Sequence, residues 1–127
     1  MINIDFTIET VCGEPGPNLY WYGNKNDFFK LACMLYLLGE NDGYKICLPC
    51  KVDEHPSEIF LISKCNGKIL NKVMPSKKLI IELDSEIWRD ILLKIYLLSM
   101  TSGREYIDLD EYQDIQEDAN FIIDSSF

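Results

Sequence analysis

The chain has 127 residues, and 12 Lys+Arg against 21 Asp+Glu give it a formal net charge of −9. That is one domain's length, and at 47% hydrophobic and 26% charged residues it has the composition of a soluble globular domain rather than a disordered one. The acidic excess disfavours nucleic acid and anionic membranes as partners, because carboxylates repel phosphate while Lys and Arg release its counterions; it leaves a basic partner as the alternative.

Met1-Ile2-Asn3-Ile4-Asp5-Phe6 alternates instead of running basic, then apolar, then small, so it does not read as a secretion signal. No apolar run approaches the roughly 18 residues that span a bilayer. Five cysteines form an odd set that fits reduced thiols better than a stapled secreted fold. These features together predict a cytoplasmic protein.

In chain order, Ile2 to Glu9 predicts a strand, with Ile2, Ile4, Phe6 and Ile8 on one face. Cys12-Gly13-Glu14-Pro15-Gly16-Pro17-Asn18 is a loop. Leu19 to Gly23 is a short β-rich run that ends at a helix cap, Asn24. The stripe Phe28, Leu31, Ala32, Leu35 and Leu38 then predicts a helix packed on a sheet, with Gly43 suited to a left-handed closing residue. Tyr44 to Val52 and Glu58 to Lys64 read as strands. Asn66-Gly67 is a hairpin signal, and Asn71 to Lys77 with Pro75 reads as a linker. Lys78 to Leu83 leads into Asp84 and Ser85, and Trp88, Ile91, Leu92, Ile95 and Leu98 repeat the helical stripe. Gly103 repeats the closing glycine, and Arg104 to Asp110 and Asn120 to Ser125 are the last strands.

The second half restates the first. A shift of 60 lays Leu19-Tyr20-Trp21 on Leu79-Ile80-Ile81, Phe28 on Trp88, Tyr36-Leu37-Leu38 on Tyr96-Leu97-Leu98, and Gly43 on Gly103. Beyond the glycine a shift of 61 lays Ile46 on Ile107, Leu48 on Leu109, and Phe60-Leu61-Ile62 on Phe121-Ile122-Ile123. The expectation is a single α+β domain over 1–127 with two β-α-β-β repeats at about 18–64 and 78–126. An N-terminal strand completes a mixed sheet that carries both helices on one face.

Catalysis needs a nucleophile with a base, paired carboxylates or a metal set. The one histidine, His55, sits in Asp53-Glu54-His55-Pro56-Ser57, which reads as an exposed turn. Cys47-Leu48-Pro49-Cys50 is the sharpest local motif. As a redox dithiol it lacks the following helix that lowers a thiol pKa. As a zinc site with His55 and Cys65 it lacks a second closely spaced pair. Under the shift of 61 the second copy has Asp108 and Glu111 in place of the two cysteines. Cys33 reads as a small core residue. Phosphate-loop, Gly-x-Ser-x-Gly and His-Glu-x-x-His patterns are absent from the sequence. The reading is a protein that is not an enzyme and carries no cofactor or metal.

Charge is concentrated late in the chain. Eight acids and no Lys or Arg fall between Glu105 and Asp124. Glu105, Asp108, Asp110, Glu111, Asp114, Glu117 and Asp118, with the aromatic Tyr112, form the candidate partner-binding surface; Tyr106 lies nearby. Clustered carboxylates speed encounter with a positive partner and select against acidic ones, and tyrosines anchor interfaces. A calcium loop over Asp108, Asp110 and Asp114 lacks the EF-hand glycine and terminal glutamate. In Tyr20-Trp21-Tyr22, alternation sends either Trp21 or the two tyrosines away from the core.

The small acidic chain, the duplicated unit, Trp88 early in the second helix and Tyr106-Ile107-Asp108 after it resemble the small immunity proteins of bacterial contact-dependent and polymorphic toxin systems. The resemblance implies a cytoplasmic protein that binds and neutralises one cognate toxin domain, often a basic nuclease. Two readings stand beside it: a zinc- or redox-dependent protein using Cys47, Cys50, His55 and Cys65, and a small homodimeric adaptor. The last rests on Cys33, Tyr36, Leu37, Leu93, Tyr96 and Leu97, which make the helices apolar beyond a single stripe.

Overall fold

A computed structural model describes residues 1–65, 68–73, 78–107 and 120–127, with backbone only over 68–73. Ten elements follow in order: β1 (Asn3–Thr7), β2 (Asn18–Tyr22), α1 (Lys25–Glu40), β3 (Lys45–Val52), β4 (His55–Ser63), β5 (Lys68–Val73), β6 (Lys78–Leu83), α2 (Ser85–Met100), β7 (Arg104–Ile107) and β8 (Asn120–Asp124). The strands form one mixed sheet in the order β5-β6-β4-β3-β1-β2-β8-β7. The α+β fold with a mixed sheet is thus the one the sequence predicts. No helix among the described residues is long and apolar enough to cross a membrane.

The pairing explains the duplication and enlarges it. Within each copy the last two strands pair antiparallel, β3 with β4 and β7 with β8. Each copy's final strand then pairs in parallel with the other copy's strand before the helix, β4 with β6 and β8 with β2. The strand ahead of that one also has a counterpart: β1 pairs antiparallel with β2, and β5 with β6. The repeat is therefore β-β-α-β-β, and β1 belongs to it rather than standing outside.

Several expectations are corrected by this arrangement. Asn71 to Val73 belong to β5, not to a linker. Asn66-Gly67 lies outside the described residues, and the strands flanking it do not pair, because β6 runs between β4 and β5. Leu19 faces Phe121 as Leu79 faces Ile59, so β8 matches β4 at an offset of 62. Arg104 faces Asp124 as Lys45 faces Ile62, so β7 matches β3 at an offset of 59. The single slip of 61 is wrong by one or two residues in these strands. A one-residue error inverts the face of a strand residue, and the corrected offsets superpose buried Leu48 on buried Ile107.

Both helices start at the expected caps. The Asn24 side chain accepts from Asp27 N at 2.9 Å while Asp27 Oδ2 accepts from Asn24 N at 3.0 Å, a reciprocal capping box. Asp84 accepts from Glu86 N at 3.1 Å. The ends are corrected: the C-caps are Asn41 and Thr101, both extended, and of the two glycines only Gly43 (φ 84) is left-handed. Both glycines dock on the sheet, Gly43 N donating to Ser63 O at 2.7 Å and Gly103 N to Ser125 Oγ at 3.2 Å.

The core lies between the helices and one face of the sheet. Phe28, Leu31, Leu35 and Leu38 from α1 and Trp88, Ile91, Ile95 and Leu98 from α2 meet Phe6, Trp21, Ile59, Leu61, Ile81 and Ile123. Trp88 Nε1 donates to Ile62 O at 2.9 Å, which satisfies the indole beside the sheet. Burying each such side chain contributes about 1.5–3 kcal/mol. Ile8, expected on the core face of the first strand, is exposed because β1 ends at Thr7.

Candidate functional site

The face of the sheet away from the helices holds a connected polar cluster. Trp21 is fully buried toward the helices, so Tyr20 and Tyr22 leave β2 on the opposite side. Their rings stack with centroids 4.6 Å apart and planes 19° from parallel. The Tyr22 hydroxyl donates to Asp5 Oδ2 at 3.0 Å and the Tyr20 hydroxyl to Asp124 Oδ2 at 3.1 Å. Phe127 packs on Tyr22 at 5.2 Å. Burial first, then the partner carboxylate, pushes both phenols above their ordinary value, so both are donors at neutral pH.

Beside the stacked rings opens a recess of about 460 Å³, whose lining includes Asp5, Glu9, Tyr20, Tyr22, Lys51 and Glu54. Three carboxylates and the ammonium of Lys51 thus line one recess. Asp5 stands on β1, and two turns border the recess beside Glu9 and Glu54. Cys12 (φ 52) and Gly13 (φ 81) close a tight turn, with Val11 N to Glu14 O at 3.0 Å and Glu14 N to Val11 O at 2.9 Å. Asn18, completely buried, donates from its amide to both Glu9 O and Glu14 O at 2.9 Å and straps this loop to the sheet. Asp53 (φ 50) and Glu54 (φ 71) form the two-residue turn between β3 and β4, tied to β1 by Asp53 N to Phe6 O at 2.9 Å. β1 pairs with β3 through Asp5–Lys51 and Phe6–Val52, and beside that short pairing a second cavity of about 300 Å³ is lined by both strands.

Asp124 anchors the network behind Tyr20. It is 1% exposed, and its carboxylate accepts from Arg104 Nε at 3.2 Å, Ser126 N at 3.0 Å and the Ser126 hydroxyl as well as from Tyr20. Burial alone would raise its pKa; the hydrogen bonds from Ser126, Arg104 and Tyr20 outweigh burial and hold it below the usual carboxylate range.

Of the expected contact residues, Glu105 is exposed on β7, where it pairs with Ile123, a core-facing residue, so it lies on the helix side and outside the recess. Asp108, Asp110, Glu111, Tyr112, Asp114, Glu117 and Asp118 lie outside the described residues. The points flanking that segment are placed. Ile107 pairs with Phe121, and the Asn120 amide donates to Pro15 O and Asn18 Oδ1, each at 3.0 Å. Both therefore sit at the end of the sheet that carries the loop of Glu9 and Glu14. The recess residues Asp5, Glu9 and Glu54 escape a search for charge runs because three separate elements supply them. The signal that points to them is the aromatic run Tyr20-Trp21-Tyr22, of which a core explains only one face.

The cysteine motif does not assemble. Residues three apart on a strand point to opposite faces: Cys50 is buried on the helix side, while Cys47 is exposed on the other and its thiol donates to Glu58 Oε2 at 3.0 Å. At the corrected offset of 59 the counterpart of Cys47 is Tyr106, not Asp108, and the position opposite Cys50 in the second copy lies outside the described residues. His55 begins β4 and is exposed, and Cys65 is exposed. Among the described residues no three His, Cys, Asp or Glu side chains converge as metal ligands. Cys33, expected in the core, is exposed on the outer side of α1.

No protein-family model, no curated protein and no solved structure matches this chain.

Proposed function

We propose that the protein is a cytoplasmic immunity protein that binds a cognate basic toxin domain, of the nuclease class, and neutralises it without catalysis of its own. The observation that supports the reading best is the recess: its lining carries three carboxylates against the one ammonium of Lys51, beside stacked tyrosines, a surface of net negative charge suited to an arginine or lysine side chain. Its cation would meet the aromatic faces and the carboxylates together, worth about 1–2 kcal/mol for the ring contact where water is excluded and more for charge-assisted hydrogen bonds.

Charge placement supports the same reading. Lys25, Asp27, Lys30 and Glu40 cancel within α1, and Glu86, Arg89, Asp90 and Lys94 cancel within α2. The whole excess of −9 therefore belongs to strands and connections, and Ile107 and Asn120 lie at the end of the sheet that carries the recess loop. A field concentrated in this way steers a positive partner toward one side of the molecule.

The test is co-expression with the toxin-like domain encoded by the neighbouring gene. The native protein should restore growth and co-purify with that domain, and the double variant Glu9→Lys with Glu54→Lys should lose both properties while staying folded. Undiminished protection by the double variant would remove the recess from the contact surface.

A further inference from the structure

We infer that the outer face of the two helices is a self-association surface, which joins two copies of this chain back to back and leaves both sheets free. This goes beyond the binding of a basic partner and uses a different side of the molecule.

Each helix carries a second apolar stripe that the core does not absorb. Tyr36 and Leu37 on α1 and Leu93, Tyr96, Leu97 and Met100 on α2 are all exposed, Leu93 by 62% and Leu97 by 54%. Between the helices lies a groove of about 510 Å³ whose walls include Ala32, Cys33, Tyr36, Leu92, Leu93 and Tyr96. Small residues make it concave. At Gly39 the helices approach so closely that a Cβ would sit 2.9 Å from Arg89 Cγ.

The groove repeats the pseudo-symmetry of the fold. Ala32 corresponds to Leu92, Cys33 to Leu93, Tyr36 to Tyr96 and Leu37 to Leu97, so an approximate two-fold axis passes through its middle. An isologous dimer requires one patch to complement itself. Here the ridge of Leu93 and Leu97 stands beside the hollow over Ala32 and Cys33, so a rotated copy would offer its ridge to that hollow.

Size and charge select a second copy as the occupant. The six exposed side chains present about 700 Å², taking roughly 200–260 Å² for each whole residue, close to one side of a standard interface and above the largest patch of an ordinary monomer. Two molecules of charge −9 repel across most of their surfaces. The helices are where that repulsion vanishes, since each is neutral within its own length. A basic partner would gain no charge complementarity from the same face.

Sedimentation equilibrium of the full chain tests this, with Leu93→Glu and Leu97→Glu as separate variants. Both side chains are mostly in solvent, so neither change should unfold the monomer, and circular dichroism checks that directly. The native chain should be dimeric at about 50 μM, and its dissociation constant should hold or tighten between about 0.05 and 0.5 M salt, because the interface is apolar and salt screens the repulsion of the two negative molecules. Each variant buries its charge twice in a symmetric dimer and should weaken it at least about a hundredfold. Glu54→Lys, on the far side of the sheet, should leave association unchanged. A native chain that stays monomeric at several hundred micromolar, or folded variants that both dimerise like the native chain, would overturn the inference.

Discussion

Asp124 is the residue through which the sheet holds the recess in shape, and Asp124→Ala should be among the costliest polar substitutions in the molecule. The carboxylate is 1% exposed and accepts from Tyr20, Arg104 and two donors of Ser126. Its removal leaves the half-buried Tyr20 hydroxyl without its acceptor, at about 1–3 kcal/mol, whereas Ser126 is exposed and turns to water. Arg104 is half in solvent, finds water again and adds little. A loss of about 2 kcal/mol follows, which lowers Tm by about 8 °C for a chain of this length. Because the folded pKa lies below the unfolded value near 3.9, this stabilisation is complete above about pH 4. It disappears as the pH falls through the folded value. Urea titrations of native and variant protein at pH 7 and through the acid range measure the difference. A loss below about 1 kcal/mol at pH 7, or a gap between the two proteins that widens on acidification, would refute the reasoning.

Gly16→Ala should destabilise by at least about 2 kcal/mol, because the new Cβ would lie 2.2 Å from Ile8 O, a backbone atom that cannot swing aside; thermal denaturation reads this. Leu61→Ala, in the fully buried centre of β4, should cost about 3 kcal/mol by chemical denaturation. Cys47 and Cys50 should not form a disulfide with each other under mild oxidation, and peptide mapping would reveal one. Both thiols should also alkylate slowly at pH 7, since burial pushes Cys50 up to about 11 and the bond to Glu58, then burial, raises Cys47.

The duplicated strand–helix–strand–strand pattern, both helix caps and the core stripes are legible in the chain because each rests on local signals: a capping side chain, a 3.6-residue period, a short β-branched run. What sequence reading misses is set by pairing between distant strands. Lys68-Ile69-Leu70-Asn71-Lys72-Val73 alternates poorly and precedes Pro75, so nothing local marks it as the counterpart of β1; only its pairing with β6 does. The offsets of 59 and 62 similarly follow from partners across the sheet, and with them fails the apparent match of Cys47 to Asp108. The recess was half visible: Tyr20 and Tyr22 announce an aromatic face away from the core, but Asp5, Glu9 and Glu54 reach it from three elements whose proximity no spacing encodes.

The most direct measurement of the central claim is stopped-flow association between the purified protein and the toxin domain of the neighbouring gene, from low to moderate salt. Acidic attraction at the recess predicts a rapid native on-rate that falls steeply as ionic strength rises, and a slow, nearly salt-independent on-rate once Glu9 and Glu54 are both lysine. Equal on-rates for the two proteins at every salt concentration, or no association by the native chain, would contradict it.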